Sequence, residues 1–266
     1  MWRETYCAKH LLHYLRNHTY RGLPPALFDR YLWLYAEVEE FQHQVVYGKP
    51  QKAGFHLFEA VEGDQASAIA AVLLEDQALN IQFDALQDSA LDLFFTDVLA
   101  QYKGKAVTLT VRNLESANRS ARLLNSSVVP RKIKYYTSQE VPLSDLPAKE
   151  VEPGDDHPAA LDYFWRFMHL GQRSFGLCLE NRFRTMASLV QLTCSQAQII
   201  SVETFDPSDH CKGFAKAVCA LALQQGLKDA EVVTWSTSPE NVASCCTAEA
   251  LGMKPYYALY EIRGNV

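Results

Sequence analysis

The sequence predicts an α/β protein: a mixed central sheet with flanking helices, fullest in the C-terminal half and repeated in degenerate form in the N-terminal half. Three observations lead there. Residues 175–262 read as three strands, a helix, a strand, a helix and a strand. Residues 107–138 repeat strand, helix and strand in outline. Between the two lies VPLSDLPAKEVEPGDDHP (141–158), whose four prolines and five acids give it little to bury. Strands that feed crossover helices imply a mixed or parallel sheet covered by helices.

Taken in order, residues 4–17 and 25–46 read as aromatic-rich helices. In the second, Leu27, Tyr31, Leu34, Tyr35 and Val38 recur at helical spacing, and Pro24 and Pro25 stand at its start. Tyr31, Trp33 and Tyr35 are read as packing residues. From Phe55 the pattern turns to strands, at 55–60, 68–75 and 78–85, the last two forming a hairpin about Asp76 and Gln77. A helix over 88–101 follows, then the alternating strand VTLTV (107–111), a helix over 114–124 capped by Asn113, and IKYYTS (133–138). The boundary falls near residue 150, giving domains 1–150 and 151–266. Beyond it come a helix at 159–171 and strands at 175–180, 184–192 and 197–205. A helix at 212–225 with Gly226 as its C′ residue, a strand at 231–235, a helix at 239–251 and a strand at 256–262 complete the chain. Asn118 and Asn241, 123 residues apart, and Pro130 and Pro255, 125 apart, suggest internal duplication; chance likeness of strand–helix–strand units is the alternative.

Composition bounds the function. The 266 residues are 48% hydrophobic and 21% charged, with a formal charge of -6. Residues 1–150 hold 16 Lys/Arg against 18 Asp/Glu, and the remainder 9 against 13, so neither half offers the basic field that nucleic acid requires. The opening residues, broken by charges and histidines, are neither a signal-peptide core nor a membrane span, which makes the cytoplasm the default location. Seven cysteines without a CxxC pair fit free thiols in a reducing compartment.

The sharpest local feature is DPSDHCKGFAKAV (206–218), directly after a β-rich run. Pro207 ends the strand, and Gly213 and Ala215 are small residues at the start of an apolar helix. Amides left unpaired at such a start converge with the positive end of the helix dipole, a site suited to pyrophosphate. GxGxxG and GxxxxGK[ST] are absent.

HCKGFA (210–215) resembles the Gln/Arg-x-x-Gly-x-Gly/Ala signature of the GNAT acyltransferase superfamily. NVASCCTAEALGM (241–253) is similar to the Asn-led helix that follows it there and ends in Leu-Gly-Phe, and FGLCLENRFRTMASLVQL resembles the paired strands before the cofactor strand. The resemblance covers roughly 173–262 and is closest in flavour to the zwittermicin-resistance-type group. It implies a GNAT-like C-terminal domain, a degenerate GNAT-like N-terminal half, and acetyl-CoA or another acyl-CoA as cofactor. It further implies that amides of Cys211, Lys212, Gly213, Phe214, Ala215 and Lys216 cradle the pyrophosphate, with Phe205 and His210 beside them. The strand 197–205 would splay from 231–235, and Asn241 would face the cofactor or fix the local backbone. His210 stands where Arg or Gln is usual, Cys211 where Gly is frequent, and Met253 where Phe is common. Ala248 stands where a general-acid tyrosine often does. DALQDSALDLFF (84–95) has no glycine loop, so no second cofactor site is expected.

Direct acyl transfer to an amine needs a base and positioning. Glu203, near the end of the cofactor strand, is the candidate base, and Ser244, one turn before Ala248, the candidate to orient water or the cofactor sulfur. Tyr256, Tyr257 and Tyr260 are further candidate acids, with 256 and 260 on one face by alternation. Consecutive Asp209, His210 and Cys211 make a poor nucleophilic pair or metal site, and no metal is expected. The acceptor is an amine-bearing small molecule or a protein lysine; nucleic acid and membrane partners are not expected. The sequence leaves the oligomeric state open. An inactive GNAT-like binding or scaffold protein and a structural or oligomerisation module are the competing readings.

Overall fold

The computed structural model describes residues 1–4, 55–62, 65–75, 77–85, 88–151, 163, 173–192 and 194–266. The helices expected over 4–17 and 25–46 lie outside the described residues, as does all but Tyr163 of the one expected over 159–171. The chain divides into two compact units. One comprises Met1–Lys132 with Tyr257–Val266, the other Ile133–Tyr256. Among the described residues no helix is long and apolar enough to cross a membrane.

In the first unit, β1 (Trp2–Glu4), β2 (Phe55–Glu62), β3 (Gln65–Glu75) and β4 (Ala78–Ala85) lie side by side in antiparallel order. The hairpin expected about residues 76 and 77 closes on the pair Glu75↔Ala78. After α1 (Asp88–Asp97) and a 3₁₀ turn (Leu99–Tyr102), β5 (Ala106–Val111) returns parallel to β4. Alternation along these strands buries Leu79, Ile81 and Phe83 of β4 with Val107, Leu109 and Val111 of β5. Trp2 closes the core, its ring 5.0 Å from that of Phe94 and its Nε1 donating to the Ala90 carbonyl at 2.9 Å. The helix α2 (Leu114–Leu123) then leads to β6 (Val128–Thr137).

The second unit repeats this plan. β7 (Ala148–Val151), β8 (Arg173–Leu179), β9 (Arg182–Gln191) and β10 (Gln196–Thr204) are antiparallel neighbours. After α3 (Phe214–Asp229), β11 (Val232–Thr237) pairs parallel to β10, and α4 (Val242–Ala250) leads to β12 (Lys254–Asn265). The segment 141–158, expected as a linker, therefore contains a strand, and Val141 and Leu146 within it pack on the second core. Alternation in β7 is too short to register in a proline-rich stretch. Gly226 does not end α3, which runs on to Asp229. A Cβ there would stand 2.8 Å from Val233 Cγ2 and 3.1 Å from Leu189 Cδ1, so this glycine lets the helix approach the sheet.

The internal repeat is visible in the helices before the last strand of each half. Asn113 caps α2 by accepting from the Ser116 amide at 2.7 Å, and Asn241 caps α4 by accepting from the Ser244 amide at 3.1 Å. Both helices end in a left-handed C′ residue, Asn125 and Gly252. The closing bonds also match: Ser126 N to Ala121 O at 2.8 Å, and Met253 N to Ala248 O at 3.1 Å. The correspondence is thus Asn113 with Asn241. Asn118, the expected partner, lies inside α2.

Each half gives its last strand away. Residues 133–137 of β6 pair antiparallel with β11, whereas residues 260–265 of β12 pair antiparallel with β5. The single boundary expected near residue 150 is replaced by crossings after Lys132 and after Tyr256, because pairing rather than composition decides where each strand belongs. A fragment of residues 133–256 should therefore give dispersed amide resonances. Residues 151–266, deprived of β6 and carrying the partnerless end of β12, should not. Equal dispersion from both fragments would contradict the exchange.

Candidate functional site

The pairing of β10 with β11 stops early. Its register runs through Gln196↔Val232, Ala197↔Val233 and Gln198↔Thr234, although β10 continues to Thr204 and β11 to Thr237. The cause lies in β10. Between the pairs Ile200↔Ser188 and Glu203↔Met186 it carries two residues against the single Ala187 of β9, with Ser201 at φ 52°. This is a bulge, which bends a strand and raises its twist. A serine in the left-handed region costs about 1 kcal/mol or more, and the neighbours must hold it. Tyr163, fully buried, donates its hydroxyl to the Ser201 carbonyl at 2.6 Å, and its oxygen lies 2.9 Å from Ser188 Oγ.

The bulge also decides where Glu203 faces. Ile199 pairs with Leu189, and both belong to the core beneath α3. In a regular strand Glu203, four residues on, would share that face. The extra residue reverses the parity, so Glu203 pairs instead with Met186, which packs with Tyr163, Phe183 and Val151 on the other face. Thr204 returns to the first face, its hydroxyl 2.9 Å from that of Thr185.

Past Thr204 the chain makes a 3₁₀ turn at Pro207–Asp209, capped by Asp206, whose carboxylate accepts from the Ser208 amide at 2.8 Å. Cys211 and Gly213 then take φ 62° and 80°, and α3 begins at Phe214. Gly213 fits this conformation without the penalty a Cβ brings, and nothing lies within 4 Å of where its Cβ would stand. Phe214 anchors the helix start in the core, while His210, Cys211 and Lys216 are exposed. Among the described residues, the amides of Cys211 to Lys216 find no acceptor, so they project from the positive end of a sixteen-residue helix. Phe205 packs its ring on the Tyr163–Met186 cluster and gives its amide to the Arg184 carbonyl at 3.0 Å.

Beneath the loop lies an acid that sequence reading treated as a weak metal ligand. Asp209 is 3% exposed; its carboxylate accepts from Lys212 Nζ at 2.9 Å and from Arg184 Nη1 at 3.2 Å. The Lys212 hydrogen bond, reinforced by Arg184, holds the carboxyl below its ordinary range against the opposing effect of burial. Its contribution to the fold is thus in place above the unfolded-state carboxyl pKa and is lost as pH falls through the lowered folded-state value. Lys212 presents its ammonium to Asp209, and what it offers at the helix start is its amide. Arg184 sits on β9, 25 residues from Asp209, and no local spacing announced the pair.

On the other side of the gap, Trp235 of β11 donates Nε1 to Ser244 Oγ at 2.9 Å. Ser244 retains its own hydroxyl proton. Of the two roles expected for Asn241, the structure displays the backbone-fixing one, since its side chain caps α4. Ala248 is fully buried in the core. Of the tyrosines on the last strand, Tyr256 stacks edge-on with Tyr136, 5.6 Å between centroids, and belongs to the second unit. Tyr260 belongs to the first, paired with Val111. Alternation alone could not show that the strand changes unit between them.

The first unit keeps the topology without the opening. β4 pairs with β5 through five residues, from Ala78↔Ala106 to Gln82↔Thr110, and β4 has no bulge against β3. Two residues separate β4 from α1, where nine separate β10 from α3. At the strand ends the Arg112 guanidinium, 3% exposed, is ion-paired with Asp84.

No family profile matches the chain, and no curated protein matches it in sequence. Solved structures do. A GCN5-related N-acetyltransferase from Sphaerobacter thermophilus aligns with a TM-score of 0.63 at 13% identity, over 100% of this chain and 95% of that one. A GNAT-family acetyltransferase from Colwellia psychrerythraea aligns with a TM-score of 0.59 at 11% identity, over 100% of both chains. A tandem GNAT protein from the clavulanic acid biosynthesis pathway gives 0.57 at 12% identity, over 99% and 98%. The chain has the GNAT fold.

Replacing Gly213 with valine should leave the packing intact, since open space surrounds the new side chain, but should strain the loop and cover its amides. If this loop holds the pyrophosphate of an acyl-CoA, calorimetry on the folded Gly213→Val protein shows acetyl-CoA binding weakened at least about tenfold. Undiminished affinity would remove the loop from any cofactor site.

Proposed function

We propose that the second unit binds acetyl-CoA or another acyl-CoA and transfers the acyl group to an amine by direct attack. One observation carries this reading: β10 and β11 diverge toward a loop whose six amides have no acceptor among the described residues. An extended ligand with amides along its length and a pyrophosphate at its end suits that combination. The edges of Ile199–Thr204 and Trp235–Thr237 supply hydrogen-bonding partners along the gap, and the loop supplies N–H donors for the phosphates. The thioester brings an activated acyl group. Glu203, turned to the face opposite α3, takes the proton from the incoming amine, directly or through water. Ser244, oriented by Trp235, directs its remaining proton toward the leaving sulfur or a water beside it.

The acceptor is an amine-bearing small molecule or a protein lysine, and the motif likeness to the zwittermicin-resistance-type group favours the small molecule. Free thiols at Cys178, Cys194, Cys211, Cys219, Cys245 and Cys246 support a cytoplasmic setting. A second reading, an acyl-CoA-binding scaffold without transfer, is favoured by Ala248, which stands where the family resemblance leads one to expect a general-acid tyrosine.

Calorimetry with acetyl-CoA should give one site per chain, because the first unit has neither the opening nor the loop. Two equivalent sites would contradict this division of labour, and mass spectrometry of the purified protein would identify any retained thioester. With an amine acceptor in hand, Glu203→Gln should lower kcat by roughly 10²-fold. Ser244→Ala should cost at most about tenfold, near the lower limit of proton-transfer contributions. Equal kcat for wild type and Glu203→Gln across the pH profile would sink the assignment of the base; folded protein that binds acetyl-CoA yet acetylates no amine would favour the scaffold.

A further inference from the structure

The loop before α3 has a shape that its own sequence does not enforce. Cys211 and Gly213, separated by one residue, both lie in the left-handed region, and for Cys211 that conformation is unfavourable. Left to itself the segment would sample other arrangements, and the amides of Cys211 to Lys216 would converge only part of the time. Asp209 supplies what the local chain lacks. Its buried carboxylate holds Arg184 Nη1 on one side and Lys212 Nζ on the other, linking a strand of the sheet to the residue that precedes Gly213. Arg184 is fixed in turn, with Nη2 donating to Glu180 at 3.0 Å. The arrangement also settles the charge. An acid near a phosphate site would repel the ligand, but this one is matched by two cations.

We propose that Asp209 is a positioning residue for the acyl-CoA loop, bracing it through Arg184 and Lys212 so that its amides are arranged for a pyrophosphate before the ligand arrives. The proposal rests on the acyl-CoA reading above and adds to it a preorganising contact at a distance from the transferred group. Preorganisation raises affinity by removing the cost of ordering the loop on binding. Its benefit goes only to ligands that reach the loop.

The test uses the full-length protein and two ligands, CoA and pantetheine, which differ in whether they carry the pyrophosphate. Wild type, Asp209→Asn, Arg184→Gln and Lys212→Met are compared by calorimetry after thermal melting has identified the folded variants. Asp209→Asn and Arg184→Gln should each weaken CoA about tenfold and leave pantetheine within twofold of wild type. Lys212→Met, which removes the more exposed arm, should weaken CoA less. If Asp209→Asn does not fold, the two cation variants decide the matter, since each removes one arm and spares the carboxylate. Unchanged CoA affinity in the folded variants overturns the proposal. Equal losses for CoA and pantetheine overturn it too, because they would mark a general disturbance of the unit. Wild type that does not bind CoA would instead overturn the acyl-CoA reading on which the brace depends.

Discussion

A single hydroxyl braces the bulge beside which β10 and β11 part. Tyr163 donates to the carbonyl of Ser201 and so stabilises a left-handed residue in the middle of β10. Without that bulge β10 would stay in register with β9 and continue its parallel pairing with β11. Glu203 would then lie on the face of Ile199, under α3, where an uncompensated carboxylate is costly. With it the strands part after three pairs and Glu203 changes face. The strain is small beside the stability of a domain, and a buried hydroxyl with two partners offsets it.

The two units show how one topology can open its parallel strand pair in one copy and keep it regular in the other. Both have four antiparallel strands, a helix, a parallel strand, a second helix capped by asparagine, and a last strand given to the other unit. They differ at the ends of the parallel pair. In the first unit β4 is regular and its ends are closed by the buried Arg112–Asp84 ion pair. In the second the same place is opened by a bulge and extended by a nine-residue loop. Sharing of the last strands makes neither half of the sequence a self-sufficient unit.

The proposed binding of a pyrophosphate by an acidic protein raises no electrostatic difficulty when the donors are backbone amides. Net charge acts at long range and is screened, whereas converging N–H groups at a helix start act within hydrogen-bonding distance. The acidic residues of the loop serve its structure: Asp206 caps the 3₁₀ turn and Asp209 gathers two cations.

The sequence by itself determined the elements and the loop. Alternation in VTLTV and ALNIQFDA, the proline after β10, the glycine before an apolar helix and the asparagines heading the last helices are local signals, written within a few residues of the structure they specify. That is why the α/β class, the loop before α3 and the cap at Asn113 are legible in the sequence. Only the tertiary structure decided which strand belongs to which unit, because pairing β6 with β11 and β12 with β5 joins residues about a hundred or more positions apart. It alone also revealed the bulge at Ser201, which no glycine announces, since the force that holds it comes from Tyr163, 38 residues away. The brace at Asp209 was hidden for the same reason: an acid in a polar loop looks solvated until a strand brings Arg184 against it. Contacts between distant residues set the geometry of the site, and neither periodicity nor spacing records them.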